Sequence, residues 1–164
     1  MKKYRLLYFL VLISFSCFVN KRLSQEYSDK EVIENLKHVT SFPDDYFFPK
    51  GDSICEKILK RGKSIIPLLI AKIDDTSNSD YIYAGVLQYK VGDIAINLID
   101  NLYDNSELPL RKLLVDEFFK KNTDDYQYIM LYDFVFFNNT EKENLENRKR
   151  FKKIISKWYN ERIK

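Results

Sequence analysis

The sequence predicts an all-α chain, a short stack of helical hairpins (an α-α superhelix) that follows an amino-terminal export segment. Apolar residues recur at helical spacing in successive stretches, with Val32, Leu36 and Val39 in one and Ile94, Leu98, Ile99 and Leu102 in another. Serine or threonine stands three residues before glutamate at Ser28-Glu31, Ser53-Glu56 and Thr140-Glu143, the spacing by which a side chain caps a helix start. An internal echo of two copies points to the stack, and an irregular helical bundle whose apolar helices match by chance is the alternative. Ile54 to Leu59 lies over Ile94 to Ile99, and Pro67-Leu68 lies over Pro109-Leu110 a little more than forty residues later.

The chain begins as an address. Lys2, Lys3 and Arg5 precede an apolar run from Leu6 to Ile13, followed by the small residues Ser14 and Ser16, the order of a secretory signal covering residues 1–16. The apolar stretch to Val19 is shorter than the roughly 20 residues a membrane-crossing helix needs. Ser14-Phe15-Ser16-Cys17 is similar to the lipobox of bacterial lipoproteins, although leucine is usual where Ser14 stands, and on that resemblance Cys17 would carry lipid. The chain is therefore expected to be exported and membrane-anchored, periplasmic or on the cell surface; conventional cleavage and release is the alternative. Residues 17–27 read as a tether and residues 28–164 as one domain, long enough to bury a core.

Charge narrows the partners. The net +3 belongs to the leader, because three of the 27 bases lie in those first sixteen residues and the other 24 balance the 24 acids. A neutral body has no general field to draw in nucleic acid or an anionic membrane, so membrane contact is expected through the lipid alone.

A first helix is predicted over Asp29 to Val39. Pro43 and Pro49 then bound a loop that carries Tyr46, Phe47 and Phe48. The first helix pair follows: Ser53 caps a helix with Ile54, Ile58 and Leu59 inside, Gly62 ends it, and Ile65 to Ile73 makes a buried partner with Pro67 in its first turn. Tyr81 to Lys90 fits neither helix nor strand well, although Tyr81 and Tyr83 alternate. Gly92-Asp93 opens the next helix, and Pro109 starts another through Phe119. Asp124 to Phe137 reads as a buried helix, with a strand as the competing assignment because so many residues are β-prone. The last helix is expected to be basic outside and to bury Leu145, Phe151, Ile154, Ile155 and Trp158.

Helix pairs repeating at about 40 to 47 residues are the mark of HEAT and armadillo arrays. Leu59 to Leu69, followed by Val91-Gly92-Asp93-Ile94-Ala95, resembles exported bacterial HEAT-repeat-like proteins, as does the ending Asn147-Arg148-Lys149 with Lys157-Trp158-Tyr159. The resemblance implies the fold and carries no catalytic residue.

No constellation argues for catalysis, a metal or a cofactor. His38 is the single histidine, and its place near a helix end suits a role in complementing the helix dipole. Asp74, Thr76, Asn78 and Asp80 alternate as calcium ligands do, yet Ser79 and Gly85 stand where glycine and a bidentate glutamate belong. Asp93 is explained as a first-turn acid that accepts backbone N–H bonds. The run Arg148 to Lys153 is expected to be a solvated face balanced by Glu141, Glu143 and Glu146, and Thr140 of the sequon Asn138-Asn139-Thr140 is better read as a helix cap. Cys55 is expected to be a buried, inert thiol. Tyr46, Phe47, Phe48, Tyr81 and Tyr83 are the candidate partner contacts, since aromatics exposed in loops favour interfaces; the equal alternative is that they are buried and simply lid the helix ends. The expected function is therefore a non-enzymatic module that binds a protein or a surface polymer. An inhibitor or immunity-type protein that blocks a toxin or enzyme is the alternative.

Overall fold

The computed structural model describes residues 27–43, 50–103, 109–119 and 128–162, and these are mostly helical with one small hairpin of strands. Helix α1 (Asp29–Glu34) starts at the expected box, where the Ser28 hydroxyl accepts the Glu31 N–H and Glu31 accepts the Ser28 N–H at 2.7 Å. It tightens into a 3₁₀ turn over Asn35–His38, ending one residue before the expected Val39.

Helix α2 (Ser53–Leu59) departs from expectation at its cap. Asp52, not Ser53, is the N-cap, and one carboxylate oxygen accepts both Ile54 N–H and Cys55 N–H, at 2.9 and 3.0 Å. Its other oxygen takes the Thr40 N–H at 2.6 Å, so one side chain closes a helix and holds the preceding loop. Glu56, freed of the capping role, faces Lys60. A 3₁₀ turn leads to helix α3 (Ile66–Lys72), with Pro67 in its first turn as expected.

The principal difference from an all-α reading is a hairpin of strands β1 (Asn78–Tyr83) and β2 (Leu87–Lys90), paired antiparallel with Tyr83 opposite Leu87 and an irregular register between Asn78 and Ile82. Ala84 and Gly85 both take positive φ, 51° and 72°, and Val86 N–H returns to the Tyr83 carbonyl at 3.1 Å. That is a tight turn of the primed kind, whose twist matches paired strands. The alternation of Tyr81 and Tyr83 is thus a strand signal masked by an atypical turn, because Ala-Gly is not the usual Asn-Gly.

Helix α4 (Val91–Leu102) follows directly and is buried through most of its first nine residues. Gly92 permits this: a Cβ there would lie 2.2 Å from the Ile73 carbonyl oxygen, and its N–H donates to the Asp75 carbonyl at 2.9 Å. Helix α5 (Leu110–Phe118), helix α6 (Tyr128–Phe136) and helix α7 (Glu141–Arg162) complete the described chain. The aromatic run around Tyr132 is a helix and not a strand, and Thr140 and Glu143 form the box that starts α7.

One apolar core joins these elements, running from Leu36 and Ile58 through Leu69 of α3 and Ile94 and Leu98 of α4 to Val135, Phe136, Phe151 and Ile155. Helix α3 packs on α4, while α5 packs on α6 and α7, so the contacts of the two proline-aligned pairs are not equivalent. Leu145, Ile154 and Trp158, expected inside, are only partly buried; the Trp158 ring stands edge-on to Tyr103 at 5.2 Å. No described helix is long and apolar enough to cross a membrane.

Candidate functional site

The first turn of α4 and the middle of α7 meet in the core. Asp93 in the first turn of α4 is 0% exposed, and Arg148 in α7 is 1% exposed. Arg148 Nη1 stands 2.6 Å from Asp93 Oδ1, which also accepts the Tyr132 hydroxyl at 2.6 Å. Asp93 Oδ2 accepts the Lys90 N–H at 2.6 Å, the capping bond expected of a first-turn acid. Arg148 thus corrects the reading of the basic run as wholly solvated: Lys149, Arg150 and Lys153 are exposed, but Arg148 shares the stripe of Phe151 and Ile155.

Burial disfavours the Arg148 cation, yet Tyr132 and Asp93 more than offset this and raise its pKa above the ordinary value. The guanidinium lies over Phe136, with Cζ 5.0 Å from the ring centre, and near Phe137 at 5.7 Å. The partners of the guanidinium in the core are the Asp93 carboxylate, at 2.6 Å, and the Tyr132 hydroxyl. Nearby, burial and then the charge of Asp93 push the Asp133 carboxyl up.

Arg148 forms part of the wall of a cleft of about 670 Å³ between β2 and the start of α7. Gln88 and Lys90 line one side, and Phe136, Phe137, Lys142, Asn144 and Leu145 line the other.

The partner-contact residues divide. Cys17, Tyr46, Phe47 and Phe48 lie outside the described residues. Tyr81 is partly buried, its ring 4.7 Å from Phe42 and 5.2 Å from Tyr89. Tyr83 stacks on Tyr89 at 5.8 Å and is exposed on its other side. Two apolar neighbours that sequence reasoning did not select stand further out: Ile82 is 52% and Val86 86% exposed. Gly85, the turn residue beside them, was the missed indication.

The remaining candidates are occupied locally. His38 Nδ1 pairs with Asp80 at 2.9 Å on the surface. Asp74 engages Lys152 at 2.6 Å and Asn78 engages Lys90 at 2.6 Å, so the alternating oxygens of that loop serve separate partners. Cys55 is buried against the Ser41 carbonyl, and burial, then the charge of Asp52, pushes its thiol up to about 12.

No family model, no curated protein and no solved structure matches this chain.

Proposed function

We propose that this protein is a non-enzymatic binding module of the bacterial cell envelope that takes its partner, a protein or a surface polymer, on the tip of the β1–β2 hairpin. The observation that carries this reading is the exposure of Ile82 and Val86, 52% and 86%, and of part of Tyr83 around the end of a supported hairpin. Large apolar side chains held out at a turn offer contact area that a partner can cover. The base of the hairpin is tied down, since Ser79 Oγ donates to the Tyr89 carbonyl at 2.8 Å and Tyr89 packs among Phe42, Tyr81 and Phe137. A preorganised tip loses little entropy when it docks.

Two further parts of the reading rest on sequence. The leader and Cys17 would place the domain at a membrane through lipid, and the helix pairs would be a degenerate HEAT-like repeat. The same tip would serve as the wedge of an inhibitor or immunity-type protein if the captured partner were a toxin or enzyme whose activity falls on binding.

Val86→Glu tests the proposal. The variant should melt at the wild-type temperature and lose the partner that wild-type protein captures from its own envelope fraction; equal capture by both would overturn the tip as the contact. Cys17→Ser should release the chain from membranes, and a wild-type chain that fractionates as soluble would remove the anchoring claim.

A further inference from the structure

Asp133, half-buried on α6, is a carboxylate without a counterion. Its Oδ1 is enclosed and accepts no hydrogen bond, the side chain forms no ion pair among the described residues, and Oδ2 keeps contact with solvent. The cations of the neighbouring elements face elsewhere: Arg148 meets Asp93 at 2.6 Å, Lys90 donates to Asn78 at 2.6 Å, and Lys142 lines the cleft at the start of α7. Burial and the charge of Asp93 hold the Asp133 carboxyl above its ordinary value. A native pKa above the unfolded one gives most stability below the unfolded value and loses it as pH rises through the native value. Ionised Asp133 therefore costs stability at neutral pH. A charge kept at such a cost calls for a reason outside the fold.

The position of Asp133 supplies one. Tyr89 stacks on both Tyr83 and Phe137, 5.8 Å from each ring, and Asp133 stands one turn before Phe137, whose N–H donates to the Asp133 carbonyl at 3.0 Å. Burial, then the charges of Asp93 and Asp133, push the Tyr89 phenol up, so the Asp133 carboxylate lies beside the hairpin that presents Ile82, Tyr83 and Val86. Ile82 and Val86 have no side-chain hydrogen-bonding group to offer a sugar, so this surface fits a protein segment better than a polysaccharide. A guanidinium grips a carboxylate best through both oxygens, and here only one is open; an ammonium is satisfied with one. We propose that Asp133 receives a lysine ammonium of a partner protein whose apolar residues cover the hairpin tip. The lysine lies across the exposed face of Tyr83, where the ring favours a cation. This rests on the tip as the contact and adds the chemistry of the partner.

Carbodiimide cross-linking of the full chain in its own envelope membranes, which joins carboxylates directly to amines, tests this when the joined peptides are mapped by mass spectrometry. The expected product is an amide between Asp133 and a lysine of another protein, absent from Asp133→Asn and strongly reduced in Val86→Glu. Asp133→Asn should also weaken capture of that same protein about tenfold, by removing one charge pair. The variant should melt at or above the wild-type temperature at pH 7, with the difference closing in acid, so weaker capture is not a failure to fold. Asp133 left unjoined while other carboxylates react, a link to a second copy of this chain, or a lower melting temperature of Asp133→Asn at pH 7 would each overturn the proposal. Capture unchanged in Asp133→Asn but lost in Val86→Glu overturns the lysine contact and leaves the tip standing, whereas capture unchanged in Val86→Glu overturns both.

Discussion

At the scale of the residue, the position of Arg148 illustrates how burial of a charge depends on what surrounds it. Removing one partner of a buried pair strands the other in a medium that cannot solvate it, so Arg148→Met should lower unfolding free energy by roughly 3 to 5 kcal/mol in urea denaturation. Adding Asp93→Asn to that variant should restore part of the loss, because the uncompensated carboxylate is then gone while an oxygen remains for Lys90 N–H. A double variant no more stable than Arg148→Met would show that the pair acts through packing on Phe136 alone. Cys55 is the complementary case. With its thiol up at about 12, it is protonated throughout the neutral range and should resist iodoacetamide at pH 8 in the native state, becoming alkylated only on unfolding. Native-state labelling mapped to Cys55 would contradict its burial.

At the scale of the element, Asp52 and Ala84 each govern a local structure. Burial works against the Asp52 carboxylate, but N–H bonds from Cys55, Thr40 and Ile54 and the Thr40 hydroxyl prevail and hold its pKa below the usual carboxylate value. A depressed native pKa contributes stability that is present above the unfolded value, about 3.9, and is lost as pH falls through the lower native value. Asp52→Ala should therefore cost about 1 to 2 kcal/mol at neutral pH, with the difference from wild type shrinking in acid; an unchanged difference at all pH values would count against the cap. Ala84 sits at positive φ where asparagine is favoured, so Ala84→Asn should stabilise the chain by about 0.5 to 1 kcal/mol in thermal or urea unfolding. Loss of stability in that variant would argue against the turn. Helix starts at Ser28, Pro67, Pro109 and Thr140 are legible in the sequence because caps and prolines act within one turn. The start of α2 misleads for the same reason: the Ser53-Glu56 spacing satisfies the capping pattern, and nothing local distinguishes it from an acid one residue earlier.

At the scale of the whole molecule, the surface and the core are legible to different degrees. The apolar stripe of α4 identifies its core face, because a helix with one apolar face must bury it, whereas α3 and α6, apolar on nearly every side and expected buried throughout, leave Leu68 39% and Phe134 49% exposed. Spacing alone could have placed Arg148 on the stripe of Phe151 and Ile155, but a cation is normally outside, and only Asp93 and Tyr132, 55 and 16 positions away in the chain, explain the exception. The cleft is not legible at all, since Gln88, Lys90, Asn144 and Arg148 share no motif and become neighbours only when β2 approaches α7.

Periodicity, caps and charge, each read within a short window, suffice for the mostly helical class, several of the helix starts, and the unequal spread of charge, with three bases and no acid in the first sixteen residues and 24 of each after them. Three outcomes needed the folded chain: Tyr81 and Tyr83 belong to a hairpin, Ile82 and Val86 stand out at its tip, and Asp93 meets Arg148. They depend on which distant faces come together, and the free energy of that meeting is carried by no single stretch of chain.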